Sequence, residues 1–474
     1  METAHTDPVE PAWAGLAEQA ELVASGTVSS AVLVELALRR ADQVQPALGA
    51  FRVIRHEAAR AEAAEADRRV AAGERRPLLG VPVAIKDDTD LAGETTPFGC
   101  DGDCVPKTED GEVVRRLRAA GAVIVGKTTS SELGQWPNGE TAAFGITRNP
   151  WDASRTPGGS SAGSAVAVAA GVVPAALGSD GAGSVRIPAA WTGLVGLKPQ
   201  RGRISSWPDT DPFFGITCNG PLARSVDDVA LLLDTLTGNH RDDRYRLAPA
   251  DVPFREAARR EPRGLRIALS FRTPYFVDEI LDPEIRAAVE RMADALAGLG
   301  HRVFRAEPDY GLVGLSFLPR ATAGSARALK GIPNPRPEPA TVVEVRLGRA
   351  LGGPVLRTAR GLEPHYRRKV GRIFERADVV LTPTTASMPL PVGALDGLGW
   401  WARGQIVSAS CPYCFVWNTL GWPALDVPAG LSRSGWPIGA QLLGRESDEA
   451  TLLSLAAQLE SVDRWTERRP PFPS

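Results

Sequence analysis

Residues 156–199 read TPGGSSAGSAVAVAAGVVPAALGSDGAGSVRIPAAWTGLVGLKP. This stretch holds two glycine-flanked serine clusters, at residues 158–163 and 181–184, separated by a small-residue helix pattern and a strand-like run at residues 172–177. Glycine lets backbone N–H groups approach a bound oxygen closely, and a helix N-terminus adds partial positive charge there. The second cluster therefore predicts an oxyanion site, with Ser184 at its tip and a helix over residues 185–191 behind it.

A serine becomes a nucleophile only where a neighbouring base takes its proton, so the candidate bases matter next. None of the five histidines lies in or beside a glycine-rich loop; they are His5, His56, His240, His301 and His365. Lysine is rare in this chain, which is rich in arginine. Because arginine stays protonated, a lysine retained in an apolar setting is a candidate for a group that must lose its proton. Lys86 ends the apolar strand pattern of residues 81–85, where burial would favour the neutral amine, a competent base.

The chain resembles the amidase signature family in these motifs and in their order. The matching segments are GVPVAIKD at residues 80–87, GGSS at 158–161 and GSDGAGSVRIPA at 178–189, with further agreement at residues 121–128, 149–152, 220–224 and 437–442. The resemblance covers nearly the whole chain. It implies an α/β fold, in which a central mixed β-sheet is covered by helices on both faces.

The same resemblance implies a Ser–cis-Ser–Lys triad. Ser184 would be the nucleophile, Ser160 the bridging serine on a cis peptide bond, and Lys86 the base that draws the proton of Ser184 through Ser160. The implied intermediate is an acyl-enzyme, which forms without a cofactor or a metal. The implied oxyanion donors are the backbone N–H groups of Gly181, Ala182, Gly183 and Ser184.

One departure from the family lies at residues 181–184, here called the nucleophile loop. The family usually carries threonine where this chain has Gly181, so a hydroxyl is lost, while Ala182 adds a methyl group. Asp180 and Arg186 flank the loop and predict a salt bridge that braces it. Ser161, next to the bridging serine, is expected to support the same loop.

Composition limits the partners and the location that we expect. The 474 residues carry a formal net charge of −2 without a lysine and arginine run, so a polyanionic partner such as nucleic acid is not indicated. Residues 1–7 are polar and lack a signal-peptide pattern. The longest apolar run, within residues 162–177, is interrupted and too short to span a bilayer. We expect a cytoplasmic enzyme that acts on a small-molecule amide or carbamate, without a membrane partner and with a homodimer as its assembly.

The chain divides into two unequal parts by pattern. Residues 1–75 predict a helical segment, with helices at 12–25, 30–43 and 56–72, and residues 76–474 predict one α/β domain. Residues 310–362 look irregular and match the family least, so substrate selection is expected there. Residues 390–422 read as a tryptophan-rich loop. Core packing and an aromatic wall for an apolar substrate both explain the tryptophans, and the candidate wall residues are Trp136, Trp400, Trp401 and Trp417.

Two further groups of residues favour structural roles. Lys127 closes a strand as Lys86 does, and we expect it to form an ion pair with the nearby Glu132. A zinc site is disfavoured because the two cysteine pairs lie far apart in sequence and lack a supporting histidine, so buried thiols are expected instead. The cysteines concerned are Cys100, Cys104, Cys411 and Cys414.

Three alternative functions stay open at this point. Residues 159–163 also fit the G-x-S-x-G pattern of α/β-hydrolases, with Ser161 as nucleophile and His365 as the only fair base. A glutaminase-type amidotransferase subunit is disfavoured because Ile187 stands where that subunit usually has glutamine. Amides, esters and carbamates all pass through the same tetrahedral chemistry, and the tryptophans favour a hydrophobic or aryl substrate.

Overall fold

The computed structural model describes residues 11–274 and 281–471, so the polar start at residues 1–7 and His5 lie outside it. The strands in this part of the chain are β1 Phe51–Ile54, β2 Pro82–Lys86, β3 Val123–Thr128, β4 Glu140–Thr141, β5 Gly145–Ile146, β6 Ala175–Asp180, β7 Val195–Lys198, β8 Cys218–Ala223, β9 Arg266–Leu269, β10 Arg302–Arg305, β11 Val379–Pro383, β12 Ala424–Leu431 and β13 Pro437–Leu443.

The helices are α1 Leu16–Ala24, α2 Ser30–Leu48, α3 His56–Ala71, α4 Glu112–Ala119, α5 Ala162–Ala169, α6 Arg186–Thr192, α7 Val226–Leu236, α8 Phe254–Ala258, α9 Pro283–Gly298, α10 Gly314–Lys330, α11 Pro339–Ala350, α12 Pro354–Gly361, α13 Glu363–Gly371, α14 Trp400–Ser410, α15 Phe415–Leu420 and α16 Glu449–Asp463. No helix among these has the length and apolar character needed to cross a bilayer.

One mixed sheet organises the molecule, with strand order β1-β3-β2-β6-β8-β7-β12-β13-β11-β9-β10. Side chains alternate across it as the strand period requires. Val83 and Ile85 of β2 join a core built with α4, α7, α9 and α16, while Ala84 between them joins a second core built with α2, α3 and α5. Because both faces are buried, the central strands are mostly apolar, and their few charged residues include Lys86 at the end of β2 and Asp180 at the end of β6. The expected mixed sheet with helices on both faces is confirmed.

Three regions differ from the sequence predictions. The first 75 residues are not only helical, because β1 pairs antiparallel with β3 at the edge of the sheet. Residues 310–362 are not irregular but form helices α10, α11 and α12. Proline stands in the first turn of α11 and of α12, where its missing N–H costs nothing. The tryptophan-rich stretch of residues 390–422 is also partly helical, with α14 and α15.

The sheet gathers the candidate motifs at one edge. Strand β2 runs parallel to both β3 and β6, so the carboxyl ends of these three strands lie together. Ligands of open α/β sheets bind outside such ends. Lys86 is the last residue of β2, Asp180 is the last of β6, and the nucleophile loop follows directly.

Candidate active site

Three predicted residues share one cavity. Lys86 Nζ lies 2.8 Å from Ser160 Oγ, and the peptide bond between Gly159 and Ser160 is cis. Ser184 lines the same cavity of about 1160 Å³ and is 8% exposed. Within the described chain no residue hydrogen-bonds to the Ser184 hydroxyl, which leaves that oxygen available to a ligand.

Lys86 is buried among polar groups that sequence reasoning did not assign. Its Nζ lies 2.8 Å from Ser179 Oγ and 3.3 Å from Asp88 Oδ2, and the Ser179 hydroxyl donates to Asp88. Burial lowers the pKa of Lys86, and the charge of Asp88 partly opposes that shift. The environment therefore favours the neutral amine more than water does. The parallel pairing of β2 with β6, in which Ile85 lies opposite Leu177, brings the ends of the two strands together and places Ser179 within reach of Lys86.

The bridging and nucleophile loops are linked by Ser161. Its backbone N–H donates to the Ser184 carbonyl oxygen at 3.1 Å, and its hydroxyl donates to the Ser179 carbonyl oxygen at 3.2 Å. Ser161 is fully buried, and His365 is exposed on α13. These positions do not fit an α/β-hydrolase pair of Ser161 and His365.

A buried ion pair supports the nucleophile loop. Arg186 Nε donates to Asp180 Oδ2 at 3.0 Å, and both side chains are fully buried. The guanidinium also donates to Gln441 Oε1 at 2.8 Å and to Asn418 Oδ1 at 2.7 Å. Burial alone would raise the pKa of Asp180, but the Arg186 charge and the hydrogen bonds outweigh it and hold the pKa well below its usual value. Asp180 is therefore a charged anchor of the loop.

The N–H of Gly183, one of the four expected oxyanion donors, already has a hydrogen-bond partner within the protein. It donates to Asp180 Oδ1 at 2.7 Å. The backbone φ of 117° at this residue favours glycine. An added Cβ would also lie only 2.7 Å from Cys414 Cβ. The cavity is lined by the other three residues of the loop, Gly181, Ala182 and Ser184.

The departure at Gly181 has a steric counterpart. A Cβ on Gly181 would lie 2.6 Å from Thr217 Oγ1, so a larger residue there would displace the threonine. Thr217 also lines the cavity. A hydroxyl therefore lies close to the position from which the loop itself has lost one.

Three of the four predicted wall tryptophans line the cavity. They are Trp136, Trp400 and Trp401, of which Trp401 is 70% exposed. Trp417 does not belong with them. It is fully buried in an apolar cluster with Trp422, and its Nε1 donates to the Gly444 carbonyl oxygen at 2.8 Å. Sequence reasoning missed other aromatic lining residues, which are Phe98, Trp207, Phe213, Phe317 and Phe415.

Lys127 has a structural partner, but not the expected one. Its Nζ lies 3.2 Å from Asp87 Oδ1 and donates to the Thr95 carbonyl oxygen at 2.6 Å. Glu132 instead accepts hydrogen bonds from Thr341 Oγ1 and from the backbone N–H of Glu338. The pairing partner of Lys127 comes from the end of β2, because β2 and β3 are adjacent.

The four cysteines considered for a zinc site lie in two separate apolar clusters, and Cys104 is only partly buried. Cys100 and Cys104 pack with Leu133, whereas Cys411 and Cys414 pack with Trp191. Across residues 11–274 and 281–471, no group of three or more His, Cys, Asp or Glu side chains could hold a metal ion.

Comparison with known proteins supports a relationship over the whole chain. The family model described as Amidase matches residues 32–453. The protein AmiA2 of Mycobacterium tuberculosis (strain ATCC 25618 / H37Rv), which is named as an amidase, is 51% identical over 451 residues, covering 94% of this chain and 93% of AmiA2.

A second relative is similar in both sequence and structure. The 6-aminohexanoate-cyclic-dimer hydrolase of Paenarthrobacter ureafaciens is 36% identical over 485 residues, covering 97% of this chain and 96% of that protein. A solved structure of 6-aminohexanoate cyclic dimer hydrolase superposes with a TM-score of 0.89 at 33% identity, over 97% of this chain and 99% of that one. The chain therefore belongs to the amidase signature family and is an amide-cleaving hydrolase.

Proposed function

We propose that this protein cleaves amides through an acyl-enzyme on Ser184, with Lys86 as the general base and Ser160 as the proton relay between them. The observation that carries the proposal is the 2.8 Å contact of Lys86 Nζ with Ser160 Oγ in the cavity that Ser184 also lines. A base must lie within hydrogen-bond reach of the proton it takes, and this contact meets that requirement for the first transfer.

The reaction would proceed in two halves. Neutral Lys86 takes the proton of Ser160 while Ser160 takes that of Ser184, and Ser184 Oγ adds to the amide carbonyl carbon. Backbone N–H groups of the nucleophile loop stabilise the resulting oxyanion. The relay then returns the proton to the leaving nitrogen, the C–N bond breaks, and the amine departs. Water attacks the acyl-enzyme by the same relay and releases the carboxylic acid, which regenerates Ser184.

The cavity favours an apolar or aryl amide. Trp136, Trp400 and Trp401 line it together with phenylalanine side chains, and aromatic walls supply contact area to an apolar substrate. Carbamates and esters would use the same triad, so they remain alternatives within this proposal. A cytoplasmic location and a homodimer stay predictions from the sequence.

The test combines labelling with a substrate panel. The purified chain is incubated with a slowly hydrolysed aryl ester and mapped by peptide mass spectrometry, and we expect the acyl group on Ser184. Turnover is then measured for aryl anilides, primary amides, carbamates and esters, and for ammonia release from glutamine. Ser184→Ala should lose turnover by several orders of magnitude, because the residual catalysis of a serine hydrolase without its nucleophile is small.

The control is Ser461→Ala, the same substitution at an exposed position on α16, which should keep wild-type turnover. An acyl group on another residue, or full turnover by Ser184→Ala, would refute the assignment. Ammonia release from glutamine without cleavage of aryl amides would instead favour the glutaminase-type alternative.

A further inference from the structure

The Asp, Glu, Lys and Arg side chains that line the cavity form ion pairs, with one exception. Among the described residues that line it, Lys86 faces Asp88 at 3.3 Å, Lys107 faces Asp90 at 3.2 Å and Arg327 faces Asp209 at 2.9 Å. These three ion pairs account for every Asp, Glu, Lys and Arg among the described lining residues except Glu344. No Lys, Arg or His side chain in the described chain forms an ion pair with Glu344.

Glu344 lies on α11 with 7% of its surface exposed. Each carboxyl oxygen accepts one hydrogen bond from a neutral group. Ser325 Oγ donates to Oε1 at 2.6 Å, and Trp400 Nε1 donates to Oε2 at 3.0 Å. A carboxylate oxygen can accept more than one hydrogen bond, so both oxygens retain acceptor capacity. Burial raises the pKa of Glu344, and the two neutral donors oppose that shift only partly.

A buried carboxylate is stabilised most by an opposite charge that also donates hydrogen bonds. We propose that Glu344 binds a protonated amine of the substrate, so that the enzyme prefers amides carrying an ammonium group away from the scissile bond. The inference rests on the proposed function, because it assigns a substrate class to the same cavity. The ring of Trp400 beside Glu344 adds a surface on which a cation is also favoured.

The position of Glu344 suits recognition of a group that does not react. It lies one helical turn after Thr341, whose hydroxyl accepts a hydrogen bond from Gln135 Nε2 at 3.2 Å. Gln135 follows Gly134, and a Cβ on Gly134 would lie 3.4 Å from Ser160 Oγ. Helix α11 thus borders the side of the cavity next to the triad, and a substrate with a flexible chain can reach both.

The experiment compares matched substrates that differ in one charge. The probes are ω-aminoacyl 4-nitroanilides of increasing chain length, each paired with the alkanoyl anilide in which a methyl group replaces the ammonium. A second series carries the ammonium on the leaving amine. In the wild type we expect kcat/KM for the best ammonium substrate to exceed that of its neutral partner at least about tenfold, as a hydrogen-bonded charge pair requires.

Glu344→Gln keeps the size of the side chain and an acceptor but removes the charge. The ammonium-to-neutral ratio of kcat/KM should fall to about one, mainly through KM, because the pair forms away from the reacting atoms. If Glu344 only held Trp400 in place, its substitution would lower kcat/KM equally for both substrates and leave the ratio unchanged. The matched control is Asp209→Asn, which removes a cavity carboxylate already paired with Arg327 and should keep the ratio.

A measurement on the wild type avoids dependence on the variant's folding. Hexylammonium should inhibit hydrolysis of a neutral anilide at least about tenfold more strongly than 1-hexanol does. Equal inhibition, an absent preference in both substrate series, or a ratio that survives in folded Glu344→Gln would overturn the inference. The neutral anilides keep the two proposals apart, because their acyl-enzyme on Ser184 tests the triad whatever Glu344 binds.

Discussion

In the proposed mechanism, the reactivity of the site depends on the charge of one amine, that of Lys86. Burial lowers its pKa below the ordinary 10.5, although Asp88 opposes the shift. In that mechanism the neutral form is the base, so kcat/KM for a neutral anilide should rise with pH, with a midpoint below that ordinary value, and then level off. Lys86→Ala should abolish this rising limb and lower the rate by a factor of about 10²–10⁴. A pH–rate profile between the acid limit of folding and pH 11 checks both.

Two variants sharpen this pH test. Lys86→Arg should not restore the rate, since guanidinium stays protonated. Lys107→Ala removes a cavity lysine that is half-exposed and paired with Asp90, and it should retain the rising limb. A wild-type profile that is flat with pH, or a limb that persists in Lys86→Ala, would contradict the assignment of the base.

Sequence reasoning reached the residues of the motifs but not their neighbours in space. The glycine-rich loop and the isolated lysine point to Ser184 and Lys86, whereas the role of Ser160 follows only from the resemblance to the amidase signature family. Ser179 and Asp88 are not indicated, because their contact with Lys86 depends on which strands pair and in what register. The sequence around Glu344 gives no local signal either, since the proposed role of Glu344 rests on the lack of a paired Lys, Arg or His among the residues that the structure describes.

At the scale of elements, the join between β6 and α6 depends on the pair of Asp180 and Arg186. Arg186→Met should lower the free energy of unfolding by about 3–5 kcal/mol, because it leaves a buried carboxylate without its cation. Activity should fall as well, since Asp180 also accepts the Gly183 N–H and so shapes the nucleophile loop. Urea denaturation followed by far-UV circular dichroism gives the free energy.

The comparison for this variant is Arg241→Met, which makes the same substitution at a side chain that is 87% exposed. It should change stability by no more than about 0.5 kcal/mol. Equal destabilisation by the two variants would mean that the buried pair contributes nothing beyond a surface arginine.

Element prediction succeeded where the period was clear and failed where local composition opposed it. The predicted helices at residues 30–43 and 56–72 correspond to α2 and α3, because apolar residues recur there at helical spacing. The sequence does not indicate α10 because Pro319 and Gly324 interrupt its helical pattern, while its contacts with α11 and α12 stabilise the helix. Strand β1 has only four residues and was hidden between two helices.

At the scale of the whole molecule, the N-terminal segment belongs to the enzyme's core. Strand β1 forms one edge of the main sheet, and α2 and α3 cover the face that carries Ala84 of β2. Lys86, two residues later on the same strand, is therefore held by a layer that begins near residue 30. A helical segment separate from the α/β domain, as the pattern of residues 1–75 predicts, would leave this face exposed.

This arrangement predicts that damage to α2 destabilises the active site together with the helix. Leu38 is fully buried in the core under the sheet, whereas Val32 on the same helix is 48% exposed. Leu38→Ala should cost about 2–5 kcal/mol of unfolding free energy, from lost burial and the cavity left behind. Val32→Ala should stay within about 0.5 kcal/mol of the wild type.

The urea midpoint for loss of anilide hydrolysis and the midpoint for loss of helical circular dichroism should shift together in Leu38→Ala, because one cooperative core supports both the active site and the helix. Activity that survives the unfolding of α2 would show instead that the first helices form an independent unit, and that the sheet carries Lys86 without them.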